Sequence, residues 1–254
     1  MMGNRVTKPR GDLMLLITCE HGGNKIPAQY QQLFSQFRNR LQTHLGYDPG
    51  ALVLARDFSR AFDAELVYST TSRLLVELNR SPRHPQVLSD ATRVLPPEER
   101  ERLLARYYRP YRTWVEAQVA GAVHSGKRVV HISSHSFTPR LHGEVRRVDI
   151  GLLFDPRRDL ERALCVAWQR TLRHAQSGLV VRRNYPYRGT GDGLTTHLRR
   201  LHPPDRYAGI EIEVNQKYPL GDARAWRNLR TVLVQTLEQA LASCTHRPQG
   251  GARM

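Results

Sequence analysis

Short apolar runs that end in clusters of hydrogen-bonding residues constrain this chain more than any other feature. Leu13–Cys19 (LMLLITC) is apolar throughout and is followed by Glu20, His21, Gly22 and Gly23. Arg128–Ser133 (RVVHIS) is followed by Ser134, His135 and Ser136. Ala208–Val214 carries Glu211 and Glu213 in alternation with Ile210, Ile212 and Val214. Continuous apolar runs of about four to eight residues read as strands buried on both faces. Glu65–Ser69, Leu74–Leu78, Val148–Phe154 and Leu179–Arg182 read as further strands.

Helical patterns separate these runs. Pro27–Phe37 has helical spacing with a weak apolar face. Pro49–Phe62 reads as a helix, with Asp48 as N-cap and Pro49 at its first position. Pro97–His124 is a long helical stretch that Pro110 should kink or divide. Asp159–Ala175 and Ala223–Cys244 complete the set. The alternation predicts a single α/β domain over residues 13–246, with a mixed, largely parallel sheet flanked by helices on both faces. Residues 1–12 read as a flexible arm and 247–254 as a flexible tail. In such sheets, functional groups gather beyond the carboxyl ends of the strands. The polar residues that follow buried strands are therefore the candidates for chemistry.

Composition narrows the class. With 40% hydrophobic residues in 254 the chain has the means to build a core, and three cysteines are too few for a disulfide scaffold. Cys19 reads as a packed strand-end thiol. No run reaches the roughly 18 apolar residues of a membrane span, and Met1–Asp12 has no apolar signal core, so the cytoplasm is the expected location. The formal charge of +16 admits a nucleic-acid-binding alternative. Against it, only four of the 39 basic residues are lysine, and the arginines are spread along the whole chain with few aromatics between them. Attraction of small anionic substrates remains open.

Each candidate has a plain structural reading beside the chemical one. His21 beside two glycines is either a turn residue or a ligand. Asn79 and Arg80 are either a surface turn or a carboxylate grip built on the guanidinium fork. His135 lies four residues after His131, on the same side of the strand by period two. Two histidines on separate strand ends favour a metal site. Glu211 and Glu213 share one side of their strand, which is a cleft if the strand is interior.

At these stations the chain resembles the N-formylglutamate amidohydrolase family. The matching segments are C-E-H-G-G-N at 19–24, G-Y-D-P-G-A at 46–51, S-R-L-L-V-E-L-N-R-S-P at 72–82, H-S-F-T-P-R at 135–140, D-I-G-L-L-F at 149–154, G-T-G-D-G-L-T-T-H at 189–197 and E-I-E-V-N-Q-K-Y at 211–218. They fall in order across residues 13–235. That family is similar in turn to the zinc carboxypeptidases and the aspartoacylase group, and the resemblance implies a zinc-carboxypeptidase-like fold. It also implies one Zn²⁺ per chain, or another divalent ion, held by His21, His135 and an acid. Asn24 stands where the carboxypeptidase pattern has a Glu. Asp48 is then the first candidate for the acidic ligand, in competition with its N-cap role, and Glu20 the second. Glu213 is implied as general base and Arg73 as carbonyl polariser. Asn79, Arg80 and Arg140 are implied to bind the substrate carboxylates. The implied reaction is hydrolysis of a small anionic N-acyl amino acid, N-formyl-L-glutamate to formate and L-glutamate, with a different N-acyl amino acid as the alternative.

Overall fold

The computed structural model describes residues 12–245. The expected arm, apart from Asp12, and the expected tail lie outside the described residues. The sheet has six strands in the order β2-β1-β3-β8-β6-β7: β1 (Leu13–Cys19), β2 (Glu65–Tyr68), β3 (Arg128–Phe137), β6 (Ile150–Leu153), β7 (Val181–Arg183) and β8 (Tyr207–Asn215). The first four in that order are mutually parallel, and β6 and β7 run the other way. A two-residue pair, β4 (Arg140–Leu141) with β5 (Glu144–Val145), forms a separate hairpin after β3. The mixed, largely parallel sheet follows the strand–helix alternation of the sequence.

The two faces of the sheet differ in kind. One is apolar along its length: Leu15, Ile17, Val130, Ile132, Ala208, Ile210 and Ile212 meet α2 (Ala51–Phe62), α5 (Asp159–Ala175) and α7 (Ala223–Thr245). The other begins apolar, with Leu16, Val129 and Tyr207 packed against α4 (Arg109–His124) and α6 (Leu194–Leu201). It then turns polar toward the carboxyl ends of β1, β3 and β8. Thr18, His131, Ser133, His135 and Glu213 lie there, all buried. The polar rows begin with His131, whose Nε2 lies 2.8 Å from Thr18 Oγ1 and whose Nδ1 lies 2.8 Å from Tyr207 Oη. Buried polar groups of this kind persist only when hydrogen-bonded.

Several expectations are corrected. Leu74–Leu78 is not a strand; it lies in turns between β2 and α3 (Pro97–Leu103). Leu74, Leu75, Val76 and Leu78 are all buried, so the run has no exposed side to alternate with. Its backbone is satisfied individually: Glu77 N–H donates to Val87 O, Ser89 Oγ to Leu74 O and Arg112 Nη1 to Leu78 O. The stretch 27–37 forms 3₁₀ turns, Ala28–Tyr30 and Gln32–Phe37, followed by a single turn, α1 (Arg38–Leu41). Helix α2 starts at Ala51 with Gly50 as its N-cap, and Asp48 gives it no side-chain cap. The division expected at Pro110 takes the form of a wider π-helical segment, Leu104–Tyr108, ahead of α4. A widened turn accommodates the missing proline N–H and its ring.

Candidate active site

Three loops converge on the carboxyl end of β3. The first leaves β1 at Glu20-His21. Glycine is required next because Cβ atoms at Gly22 and Gly23 would lie 2.8 Å from Ser69 O and 2.6 Å from Thr70 O. The second loop brings Asp48, whose N–H donates to His21 O. It is fixed to β3 by the hydroxyls of Ser134 and Ser136, which donate to Ala51 O and Pro49 O. The third, residues 72–80, lays Arg73, Glu77 and Asn79 over the same point.

His21, Asp48 and His135 form one buried cluster, with a ligand atom from each within 4.8 Å of the others. Asp48 Oδ2 lies 3.2 Å from His21 Nδ1 and 2.9 Å from His135 Nδ1. The two rings stand 5.0 Å apart at 58°. These spacings fit a divalent cation, since ligands with bonds of about 2 Å to a tetrahedral ion sit roughly 3.3 Å from one another. The outer ring nitrogens are backed by carboxylates. Glu77 contacts His21 Nε2, and Glu20 Oε2 lies 3.3 Å from His135 Nε2. Carboxylate-backed imidazoles are the usual way of fixing a ligand's tautomer and orientation. Asp48 is therefore in the cluster rather than on the helix cap, and Glu20 stands behind His135 rather than beside Asp48.

The electrostatics follow from burial and pairing. Burial alone would raise the Asp48 carboxyl; the neighbouring His21 and the hydrogen bond from His135 hold it below the usual range. Glu77 resists the same penalty through Arg73 and His21, and Glu20 through His135. Glu20 also accepts hydrogen bonds from Ser133 Oγ and Tyr111 Oη, at 2.7 and 3.0 Å. Glu213 differs. It faces the cluster as the register partner of His135, on an interior strand, and burial pushes it up to about 8 against the pull of His135. Its Oε2 is buried with no hydrogen-bond partner among the described residues.

Arg73 is at the cluster and already paired: Nε donates to Glu77 Oε2 at 2.7 Å, and Nη1 lies 3.4 Å from Asp48 Oδ1. Asn79 Nδ2 lies 3.4 Å from His135 Nε2, while its Oδ1 accepts from Leu194 N–H at 2.8 Å. Arg80 Nη1 donates to Asp192 O at 2.7 Å, and Ser81 N–H to the Asp192 carboxylate at 2.9 Å. The glycine-rich segment 189–193 is thus tied down by the Asn79-Arg80-Ser81 run. Arg140 is exposed on the β4–β5 hairpin, with no contact to the cluster among those described. Glu211 is occupied by Thr195 Oγ1 at 2.6 Å. The sequence reasoning missed Glu77, hidden in what looked like strand; a lone acid in an apolar run, four residues after an arginine, was its signal.

The family profile described as N-formylglutamate amidohydrolase matches residues 13–219. The solved structure of the gene product Atu2144 from Agrobacterium tumefaciens is similar with a TM-score of 0.78 and 31% identity, over 94% of this chain and 93% of that one. An N-formylglutamate amidohydrolase from Ralstonia eutropha JMP134 is similar in fold, with a TM-score of 0.68 and 20% identity, over 94% of this chain and 96% of that one. No curated protein matches the sequence significantly. No helix of the described residues is long and apolar enough to cross a membrane.

Proposed function

Because this chain belongs to the N-formylglutamate amidohydrolase family, we propose that it hydrolyses the amide of a small anionic N-acyl amino acid, N-formyl-L-glutamate foremost, at a divalent-cation centre held by His21, Asp48 and His135. The observation that carries the reading is the unpartnered, buried Glu213 oxygen facing that cluster. A buried carboxylate oxygen without a partner is costly in a merely structural role, and it suits a base that awaits its proton donor.

A zinc ion, or another divalent ion that accepts the same donors, would polarise the amide carbonyl and acidify the attacking water. Glu213 takes a proton from that water as its oxygen bonds to the formyl carbon. It delivers the proton to the amine nitrogen as the C–N bond breaks, leaving formate and L-glutamate. Arg73, half-buried beside the cluster, stabilises the negative charge that develops on the carbonyl oxygen. Asn79 and Arg80 orient the carboxylate next to the scissile bond; Arg140, exposed on its hairpin, is given no part in it.

The test is a screen of N-formyl and other N-acyl amino acids with zinc-loaded protein, with chelator-treated protein as control. Formate release from N-formyl-L-glutamate that chelation abolishes supports the reading. Turnover that survives chelation removes the metal, and no turnover of any N-acyl amino acid removes the function.

A further inference from the structure

Arg146, beside the site, has no carboxylate of the described residues to pair with. Arg146 follows the β4–β5 hairpin, and its backbone is held firmly: its N–H donates to Pro139 O, and its carbonyl accepts from Asn215 Nδ2 at 3.0 Å. Asn215 closes β8 two residues after Glu213. The guanidinium lies 5.9 Å from the ring centroid of Phe137, two residues after His135, and 5.6 Å from that of Tyr187. Its Nη1 is 3.4 Å from Tyr187 Oη. No carboxylate of the described residues lies within ion-pairing distance of it, whereas Arg73 is already committed to Glu77 and Asp48.

The Tyr187 segment belongs to the same wall. Neighbouring Tyr185 packs its carbonyl so closely on Gly151 that a Cβ there would lie 1.9 Å from it, and that Cβ would also lie 3.2 Å from Glu213 Cβ. Half-buried His44 completes the rim. Its pKa is lowered, first by burial and then by the charges of Arg73 and Arg146, against the opposing pull of Asp48. One N–H of Arg146 is directed at Tyr187 Oη, and a guanidinium carries five donors in a planar fork that suits a carboxylate.

We propose that Arg146, set against the rings of Phe137 and Tyr187, binds the side-chain carboxylate of the substrate and makes the enzyme select acidic over neutral N-acyl amino acids. The assignment rests on the amidohydrolase reading above and adds the group that distinguishes a dianion from a monoanion. Arg140, on the hairpin that precedes Arg146, is exposed and has no aromatic ring against it among the described residues.

The experiment compares N-formyl-L-glutamate with N-formyl-L-glutamine, which matches it in size and lacks the charge. Zinc-loaded wild type, Arg146→Ala and Arg146→Lys are assayed for kcat/KM on both. Binding of L-glutamate and L-glutamine is measured in parallel by calorimetry. The expected result is a glutamate preference that falls about tenfold or more in Arg146→Ala, the size of a lost charged hydrogen bond, carried mainly by KM and partly restored by Arg146→Lys. A preference that stays the same in Arg146→Ala, or a wild type with no preference, overturns the proposal. If wild type turns over neither compound, the amidohydrolase reading fails on its own. Calorimetry then decides: glutamate binding lost selectively in Arg146→Ala upholds the carboxylate site, and equal binding or none in wild type removes it.

Discussion

His135 and Glu213 are register partners on adjacent parallel strands, so a metal-ligand candidate and a proton-transfer candidate stand side by side on one face of the sheet. The pairing separates two roles that substitution can resolve. Glu213→Gln keeps shape and burial while removing the base. It is expected to retain one equivalent of zinc and to lose about 10²–10⁴-fold in kcat, measured by metal analysis beside steady-state kinetics. Full turnover in this variant would take Glu213 out of the mechanism.

His21→Ala and His135→Ala each remove one of the two imidazoles in a three-residue donor set. Each is expected to purify with well under one equivalent of zinc and with activity near background, while far-UV circular dichroism stays that of the folded chain. Zinc at full stoichiometry in both variants would place the ion elsewhere.

Glu77 and Glu20 would act on a bound cation through the rings they back. Glu77→Gln and Glu20→Gln are expected to weaken zinc affinity about 10–100-fold, read by competition with a chromogenic chelator. Affinity equal to wild type would show that these carboxylates do not set the ring orientation.

His131 gives a pH dependence that has nothing to do with turnover. Burial pushes it down to about 4, so it is neutral in the folded protein, bonded between Thr18 and Tyr207. In the unfolded chain it titrates near 6.5. Between these values the unfolded state holds the extra proton, so stability is lost as pH falls from about 6.5 toward 4, at up to about 1.4 kcal/mol per pH unit. Above 6.5 its contribution is complete. Denaturant midpoints across this range should fall less steeply in His131→Asn than in wild type, even though the variant is less stable overall; parallel slopes would contradict the assignment.

The sheet was legible because buried strands announce themselves as apolar runs, and β1, β3 and β8 lie where those runs do. His21, His135 and Glu213 were legible because they sit at or near the ends of such runs. Asp48 was ambiguous in sequence, since an acid before a helix is equally a cap; only the seating of α2 by Ser134 and Ser136 turns it into the cluster. Glu77 was not legible, because a buried apolar loop and a buried strand have the same composition, and local pattern cannot tell a backbone satisfied by scattered partners from one satisfied by a ladder. Arg146 was hidden among many arginines; its distinction is the pair of rings it lies against, brought from positions 137 and 187.

The two-faced sheet carries a consequence for how the protein tolerates change. Along β3 and β8, even-numbered side chains face the apolar layer and odd-numbered ones run into the polar rows. A saturation scan of these strands would therefore record a period-two rhythm: replacements at 130, 132, 210 and 212 lower the amount of folded protein in the cell, while those at 135 and 213 leave abundance intact and silence it. At these four core positions and these two site positions, stability and chemistry fall on alternate residues of the same strands, so drift at one set need not disturb the other.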